Sequence, residues 1–223
     1  MRKTLALIAM LGALALPAVA ATTEAEETYG LLFRQGTLDT VSRDAVLRYT
    51  RAVHNSADPE AAERGSGDIS LSFDAQPEAV LANLQFLQDG KHRNLGSFPA
   101  SVGNPMIMYF YETVIRDMAE TAGGSPFYIR NRVKESLVRP AQIETGEADY
   151  QGRRIETSTV TLRPFAEDPN RARMAGFGDL ELRVTMSEEV PGWYLSLVAK
   201  APDAEGAAEG YLSELRFERV AAQ

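Results

Sequence analysis

The chain has 223 residues, 44% of them hydrophobic and 24% charged, which is the composition of a globular protein and excludes a disordered or fibrous one. Its 23 Lys and Arg against 31 Asp and Glu leave a net charge of −8, which argues against DNA or RNA as a partner, because nucleic acids require a basic face to release phosphate counterions. No cysteine is present, so no disulfide and no thiol-linked lipid is available, and stability must come from a core.

Met1-Arg2-Lys3 is a positive start, Thr4 to Leu16 is almost wholly apolar, and Pro17-Ala18-Val19-Ala20 supplies the small residues of an export cleavage site. The apolar run is too short for a bilayer core of about 30 Å. We therefore expect a signal peptide over residues 1–20, cleavage after Ala20, a mature chain of residues 21–223 without a transmembrane span, and a net charge of −10. Nineteen Arg against four Lys and the absence of Asn-x-Ser/Thr sequons fit a bacterial secreted protein, so the expected compartment is the periplasm.

Along the mature chain, Tyr29, Leu31 and Phe33 alternate with Gly30, Leu32 and Arg34 and suggest a short strand. Residues 45–53 read as a second strand, 55–67 as a polar Gly-rich loop, and 68–73 and 80–86 as two further strands before the turn Asp89-Gly90. The period then changes from two to 3.6. Asn104 is placed to cap the N2 or N3 amide of a helix, Pro105 suits its first turn, and Gly123-Gly124 ends it. Ile107, Phe110, Tyr111, Val114, Ile115, Met118 and Ala122 form one apolar stripe. Ser125-Pro126 opens a second helix with Ile129, Val133 and Leu137 on one face, ending at Arg139-Pro140. Period two returns in residues 142–150 and 154–163, joined by the tight turn Tyr150-Gln151-Gly152-Arg153, and continues in 180–186, 193–199 and 211–220.

The expected fold class is α+β: one domain over residues 21–223, a strongly curved antiparallel sheet of about nine strands, half-barrel-like, with a two-helix hairpin at about 104–139 inserted after the fourth strand. One apolar face per strand leaves the concave side to be filled by the first helix. This order of elements resembles the LolA-like half-barrel carriers of the periplasm, which implies an apolar interior open to a lipid. The segment Gly123-Gly124-Ser125-Pro126-Phe127-Tyr128-Ile129-Arg130-Asn131-Arg132 is similar to uncharacterised secreted proteins of alphaproteobacteria, which implies a family without an assigned activity.

Catalytic and metal-binding patterns are not visible. His54 and His92 sit in polar contexts that read as loops, without metal-ligand spacing, and no Gly-x-Ser-x-Gly elbow occurs. Gly65-Ser66-Gly67 reads as turn chemistry, and Gly123-Gly124-Ser125 as a C-cap followed by an N-cap. The acids Glu188-Glu189 and Asp179/Glu181 read as turn and strand-surface residues. Residues 163–178 are longer than a meander needs, and read either as a packed loop or as a lid in which Arg171 and Arg173 grasp an anionic amphiphile while Phe165, Met174 and Phe177 touch its tail. Met106, Met108, Tyr109 and Phe110 make the first helix rich in adaptable and aromatic side chains, which suits an apolar ligand or equally a core, and Phe110, Val114 and Met118 complete the candidate ligand-binding set.

The leading expectation is a non-enzymatic binding or carrier protein for a lipid or other apolar or amphiphilic ligand, with no cofactor and no metal. The alternatives are a scaffold or assembly partner of a cell-envelope protein with a fully packed interior, and a cofactor-independent hydrolase.

Overall fold

The computed structural model describes residues 17–206 and 208–222. Of the expected signal peptide, residues 1–16 lie outside the described residues, and Pro17–Ala20 form the first turn of a helix. That helix, α1 (Pro17–Leu32), replaces the strand expected around Tyr29. The alternation there is equally a helical pattern: Thr28 and Leu32, four residues apart, are both fully buried, and Tyr29 and Phe33 stack at 4.9 Å.

Nine strands follow: β1 (Ala45–Asn55), β2 (Gly67–Ala75), β3 (Val80–Gln88), β4 (Lys91–Pro99), β5 (Gln142–Tyr150), β6 (Arg153–Leu162), β7 (Glu181–Met186), β8 (Tyr194–Pro202) and β9 (Glu209–Ala222). All neighbours are antiparallel and the order is β4-β3-β2-β1-β9-β8-β7-β6-β5. The chain walks outward from the centre to one edge and crosses to the other through the helices α3 (Met106–Ala122) and α4 (Pro126–Leu137). It then walks back until β9 pairs with β1 from Ala45↔Ala222 to Asn55↔Tyr211. The expected α+β class, the antiparallel sheet and the helical hairpin after the fourth strand are all present.

The four strands before the hairpin differ from those expected. β4 was not anticipated, because an edge strand of mostly exposed polar residues, Lys91-His92-Arg93-Asn94, shows no alternation. Both histidines are on strands, exposed on β1 and β4, and not in loops. Residues 55–67 contain a short helix, α2 (Pro59–Gly65), whose start is signalled by Asp58-Pro59: the Asp58 carboxylate accepts from the Ala61 amide at 2.9 Å.

Curvature is visible in one contact. Tyr150, at the end of β5, lies 6.0 Å from the Phe217 ring on β9, although four strand spacings in a flat sheet would separate them by about 19 Å. The β5–β6 hairpin turns through Gln151 and Gly152, both at positive φ as its two-residue loop requires. β7 pairs with β6 only over Ser158–Leu162, so the hairpin tip reaches past β7, where Arg153 pairs with Glu189 at 3.0 Å.

α3 fills the concave face. Ile107, Phe110, Tyr111, Val114, Ile115 and Met118 are no more than 3% exposed, with Ala122 at the margin. They join one cluster with Leu47 and Tyr49 of β1, Leu197 of β8 and Leu215 and Phe217 of β9. A strut fastens the far half of α3. Asp117 accepts from Arg51 of β1 at 2.9 Å and from the Tyr211 hydroxyl of β9 at 2.9 Å, while Arg51 also donates to the Gly65 carbonyl at 2.5 Å. Among the described residues no helix is long and apolar enough to cross a membrane.

Candidate functional site

The eight residues singled out in the sequence fall into two places. Phe110, Val114 and Met118 lie on the face of α3 turned into the core, each 1% exposed. Phe165, Met174 and Phe177 are 0%, 7% and 2% exposed, so residues 163–180 form the packed alternative, tightened by 3-10 turns at Arg171–Arg173 and Phe177–Asp179. Arg171 and Arg173 are exposed, and Arg171 is ion-paired with Asp179.

Asp168 anchors this segment to α4. Its side chain, fully buried, accepts from the Tyr128 hydroxyl at 2.7 Å, from Arg132 at 2.8 Å and from the Asn170 amide at 2.8 Å. Burial works to raise its pKa, but the Asn170 amide, the Tyr128 hydroxyl and Arg132 outweigh it, and the carboxyl is held below its ordinary value. A group with a lowered folded pKa stabilises above its unfolded pKa of about 3.9 and loses that contribution as pH falls further. Asp168→Asn should therefore lower the urea midpoint at pH 7 and converge with wild type as both are taken below about pH 4, measured by paired denaturation curves.

The remaining acids considered for chemistry are paired. Glu188 meets Arg34, Glu189 meets Arg153, and Glu181 is ringed by Arg163, Arg183 and Lys200. Gly123 and Gly124 adopt positive φ between α3 and α4, as capping requires, and Arg130 is committed to Glu112 by two bonds of 2.8 and 2.7 Å.

The unfilled apolar surface lies at the mouth of the half-barrel, in a groove of about 560 Å³ between α1, α3 and α4. α1 contributes Tyr29 and, just past its end, Phe33; α3 contributes Ile107 and Met108; and α4 contributes Leu137 and, just past its end, Val138. The connection from β4 adds Val102, and the floor is Tyr194 and Asn104. Six large apolar side chains are exposed among the described residues, and four of them face this groove: Tyr29 at 49%, Val102 at 65%, Met108 at 44% and Val138 at 61%. Such a concentration is what a ligand or partner would cover. None of the eight sequence candidates lines it.

Local geometry builds the groove from short-range rules. Gly103, at φ +127°, packs its α-carbon against α1's end, where an added Cβ would lie 2.8 Å from the Arg34 carbonyl oxygen, so only glycine lets the two segments meet. Asn104 caps as expected, its side-chain oxygen accepting from the Met106 amide at 3.1 Å, two residues on. Its side-chain amide donates to the Tyr49 hydroxyl at 2.9 Å and to the Gly192 carbonyl at 2.8 Å, and its backbone amide to the Thr37 hydroxyl at 2.9 Å. One buried residue thus ties β1, the β7–β8 turn and the start of α3 together.

α1 is held to the same turn. The Trp193 indole donates to the Leu31 carbonyl at 2.9 Å and the Tyr194 hydroxyl to the Leu32 carbonyl at 2.6 Å, satisfying helix-end acceptors. Trp193 sits at φ +81°, uncommon for a bulky residue, and its ring is covered by the Arg34 guanidinium at 4.4 Å. Arg34 and Lys134 put cationic charge on the rim, and Lys134 has no ion-pair partner among the described residues. Burial pushes the Tyr49 and Tyr194 hydroxyls up from the ordinary tyrosine value.

The groove residues Tyr29, Phe33, Val102 and Val138 were missed in the sequence. The i, i+4 pair Tyr29 and Phe33 was a readable helical signal, whereas nothing in the Gly- and Pro-bounded stretch around Val102 indicates exposure.

No known protein family matches the chain, and no curated protein matches it in sequence. Among solved structures it is similar to the Mycobacterium tuberculosis lipoprotein LppX, at 11% identity over 86% of this chain and 94% of that chain, with a TM-score of 0.34. A likeness at that level assigns no function.

Proposed function

We propose that this chain is a non-enzymatic binding protein whose ligand is an apolar or amphiphilic molecule held in the mouth groove. The observation that carries the reading is the gathering of Tyr29, Val102, Met108 and Val138, four exposed apolar side chains from four segments, around one concavity. Its volume, about 560 Å³, falls in the range of small-ligand sites, whose walls are largely apolar with a few polar groups. The concave interior is occupied by α3, so in this reading the ligand lies against the helices, and the core candidates Phe110, Val114 and Met118 do not line its site. Export to the periplasm with removal of residues 1–20 belongs to the same proposal; cleavage after Ala20 would leave Thr28, Tyr29, Leu31, Leu32 and Phe33 of α1 and its end in place.

The test uses the apolar fluorophore N-phenyl-1-naphthylamine, whose emission rises on entering an apolar site. Wild type should enhance it saturably, and Met108→Asp, at an exposed position, should melt within a few degrees of wild type yet bind at least tenfold more weakly. Undiminished binding by Met108→Asp sinks the groove reading. The second reading, an envelope scaffold, draws on the packed interior. Native mass spectrometry before and after organic extraction separates the two: a discrete extra mass lost on extraction supports the carrier, and a bare mass matching residues 21–223 supports the scaffold and confirms cleavage.

A further inference from the structure

The charged side chains lining the groove are Arg34 and Lys134, and none is acidic. In a chain whose acids outnumber its bases 31 to 23, a concavity lined by cations alone departs from the rest of the surface and sets the sign of what it attracts. The two cations are not equivalent. Arg34 is ion-paired with Glu188 and lies over the Trp193 ring at 4.4 Å, so its guanidinium is committed within the protein. Lys134 is exposed and has no hydrogen bond or ion pair among the described residues. The Glu112 carboxyl is held below its ordinary value by its bonds to Arg130 and, to a smaller degree, by the charge of Lys134, but both of its oxygens are taken by Arg130 at 2.8 and 2.7 Å. Glu135, the next residue, is bonded to Arg132 at 2.8 Å. Lys134 is therefore a cation without a counter-ion.

Helix geometry sets this cation beside apolar surface. Lys134, Leu137 and Val138 are spaced i, i+3 and i+4 along α4 and its end, so one ammonium and two aliphatic side chains share a face, and all three line the groove. The four-carbon stem of Lys134 extends the apolar wall while its ammonium stays at the wet rim. Apolar walls with one free positive charge at the edge are complementary to a molecule with an apolar chain and one negative end.

We infer that the groove binds a single-chain carboxylate, a fatty acid, with its chain along the apolar walls and its carboxylate paired with the Lys134 ammonium. The inference rests on the groove reading and adds to it the ligand class. An ammonium is a point charge that meets one monoanion without demands on its geometry, whereas a phosphate head is gripped best by a guanidinium fork, and the fork at this rim, Arg34, is in use.

Lys134→Glu reverses the charge at an exposed position, and Lys134→Met removes it while keeping the apolar stem. Dodecanoate, dodecanol, dodecyltrimethylammonium and dodecylphosphocholine, which share one chain length, are each titrated below micelle formation at pH 8 to displace N-phenyl-1-naphthylamine, alongside thermal melts. Lys91→Glu is the control: it makes the same change of net charge at the far end of β4, about 23 Å along the strand from the lining residue Phe98. Lys134→Glu should melt within a few degrees of wild type, bind dodecanoate about tenfold more weakly and dodecanol equally, and bind dodecyltrimethylammonium more tightly. Lys134→Met should lose about threefold for dodecanoate alone, and Lys91→Glu should match wild type on every probe. Added salt should weaken dodecanoate on wild type and leave dodecanol unchanged. The inference is overturned by equal affinity of wild type and both Lys134 variants for dodecanoate, by an equal loss for dodecanol, or by the same loss in Lys91→Glu. A loss for dodecylphosphocholine as large as that for dodecanoate overturns the carboxylate in favour of a phosphate head. If wild type binds neither the fluorophore nor uncharged dodecanol, the groove reading itself falls and takes this inference with it, an outcome distinct from the others.

Discussion

Replacing Val114 with Asp should abolish the cooperative thermal transition. Val114 is 1% exposed at the middle of α3, between Phe110 and Met118 on its buried face. The substitution forfeits the burial of an aliphatic side chain, about 1.5–3 kcal/mol, and adds the cost of an uncompensated charge, together roughly 5 kcal/mol or more. A domain of this size has a total of about 5–15 kcal/mol to lose. Phe127→Asp is the control: at 68% exposure it should melt as wild type does. Circular dichroism melts of the three proteins decide it, and a Val114→Asp transition near the wild-type temperature would mean that α3 does not pack into the sheet.

The second large effect is at the strut. Asp117→Ala should cost about 3–5 kcal/mol, because it leaves Arg51, whose side chain is 2% exposed, charged and unpaired in the core. The arginine is already undersupplied, since its Nε has no partner among the described residues, and the Tyr211 hydroxyl loses its acceptor as well. Replacing both charges, Arg51→Met with Asp117→Leu, should recover most of the loss, as apolar pairs of similar volume commonly match a buried ion pair. Urea denaturation of the two single variants and the double variant gives the coupling directly. If Asp117→Ala alone shifts the midpoint only slightly, the pair is solvated and the strut is not what holds this half of α3. Asp117 lies about 15 Å along the helix from Ile107, so these changes should leave the groove's affinity unaltered wherever the protein remains folded.

The two faults in reading the early strands have opposite physical causes. Around Tyr29 a short run satisfied both periods, and the choice was made by long-range contacts: Thr28 with the Ala141 amide, Leu31 and Leu32 with Trp193 and Tyr194. At β4 there was no pattern at all, because Lys91, His92, Arg93 and Asn94 are exposed and only backbone pairing to β3, from Gln88↔Lys91 onward, makes them a strand. The two misreadings offset each other, so the count of four strands before the hairpin survived while their identities changed. The start of α2 is legible in Asp58-Pro59, although the glycines after it are those of a loop.

Periodicity by itself determined the α3 stripe, the α4 face, the hairpin at Gln151-Gly152 and the alternation of β7 and β8, because each depends on neighbours within a few residues. Composition and the absence of cysteine determined that one core must carry the stability. What only the tertiary structure decided is where apolar surface is left over. Phe110, Val114 and Met118 lie on the α3 stripe and are buried, and Met108 lies off it and is 44% exposed, as the helical period implies; what the period does not show is that Tyr29, Val102 and Val138 gather around Met108. Whether a side chain is core or site is set by the elements that fail to cover it, and those come from residues 29–33, 98–108, 134–138 and 194, which no local window brings together.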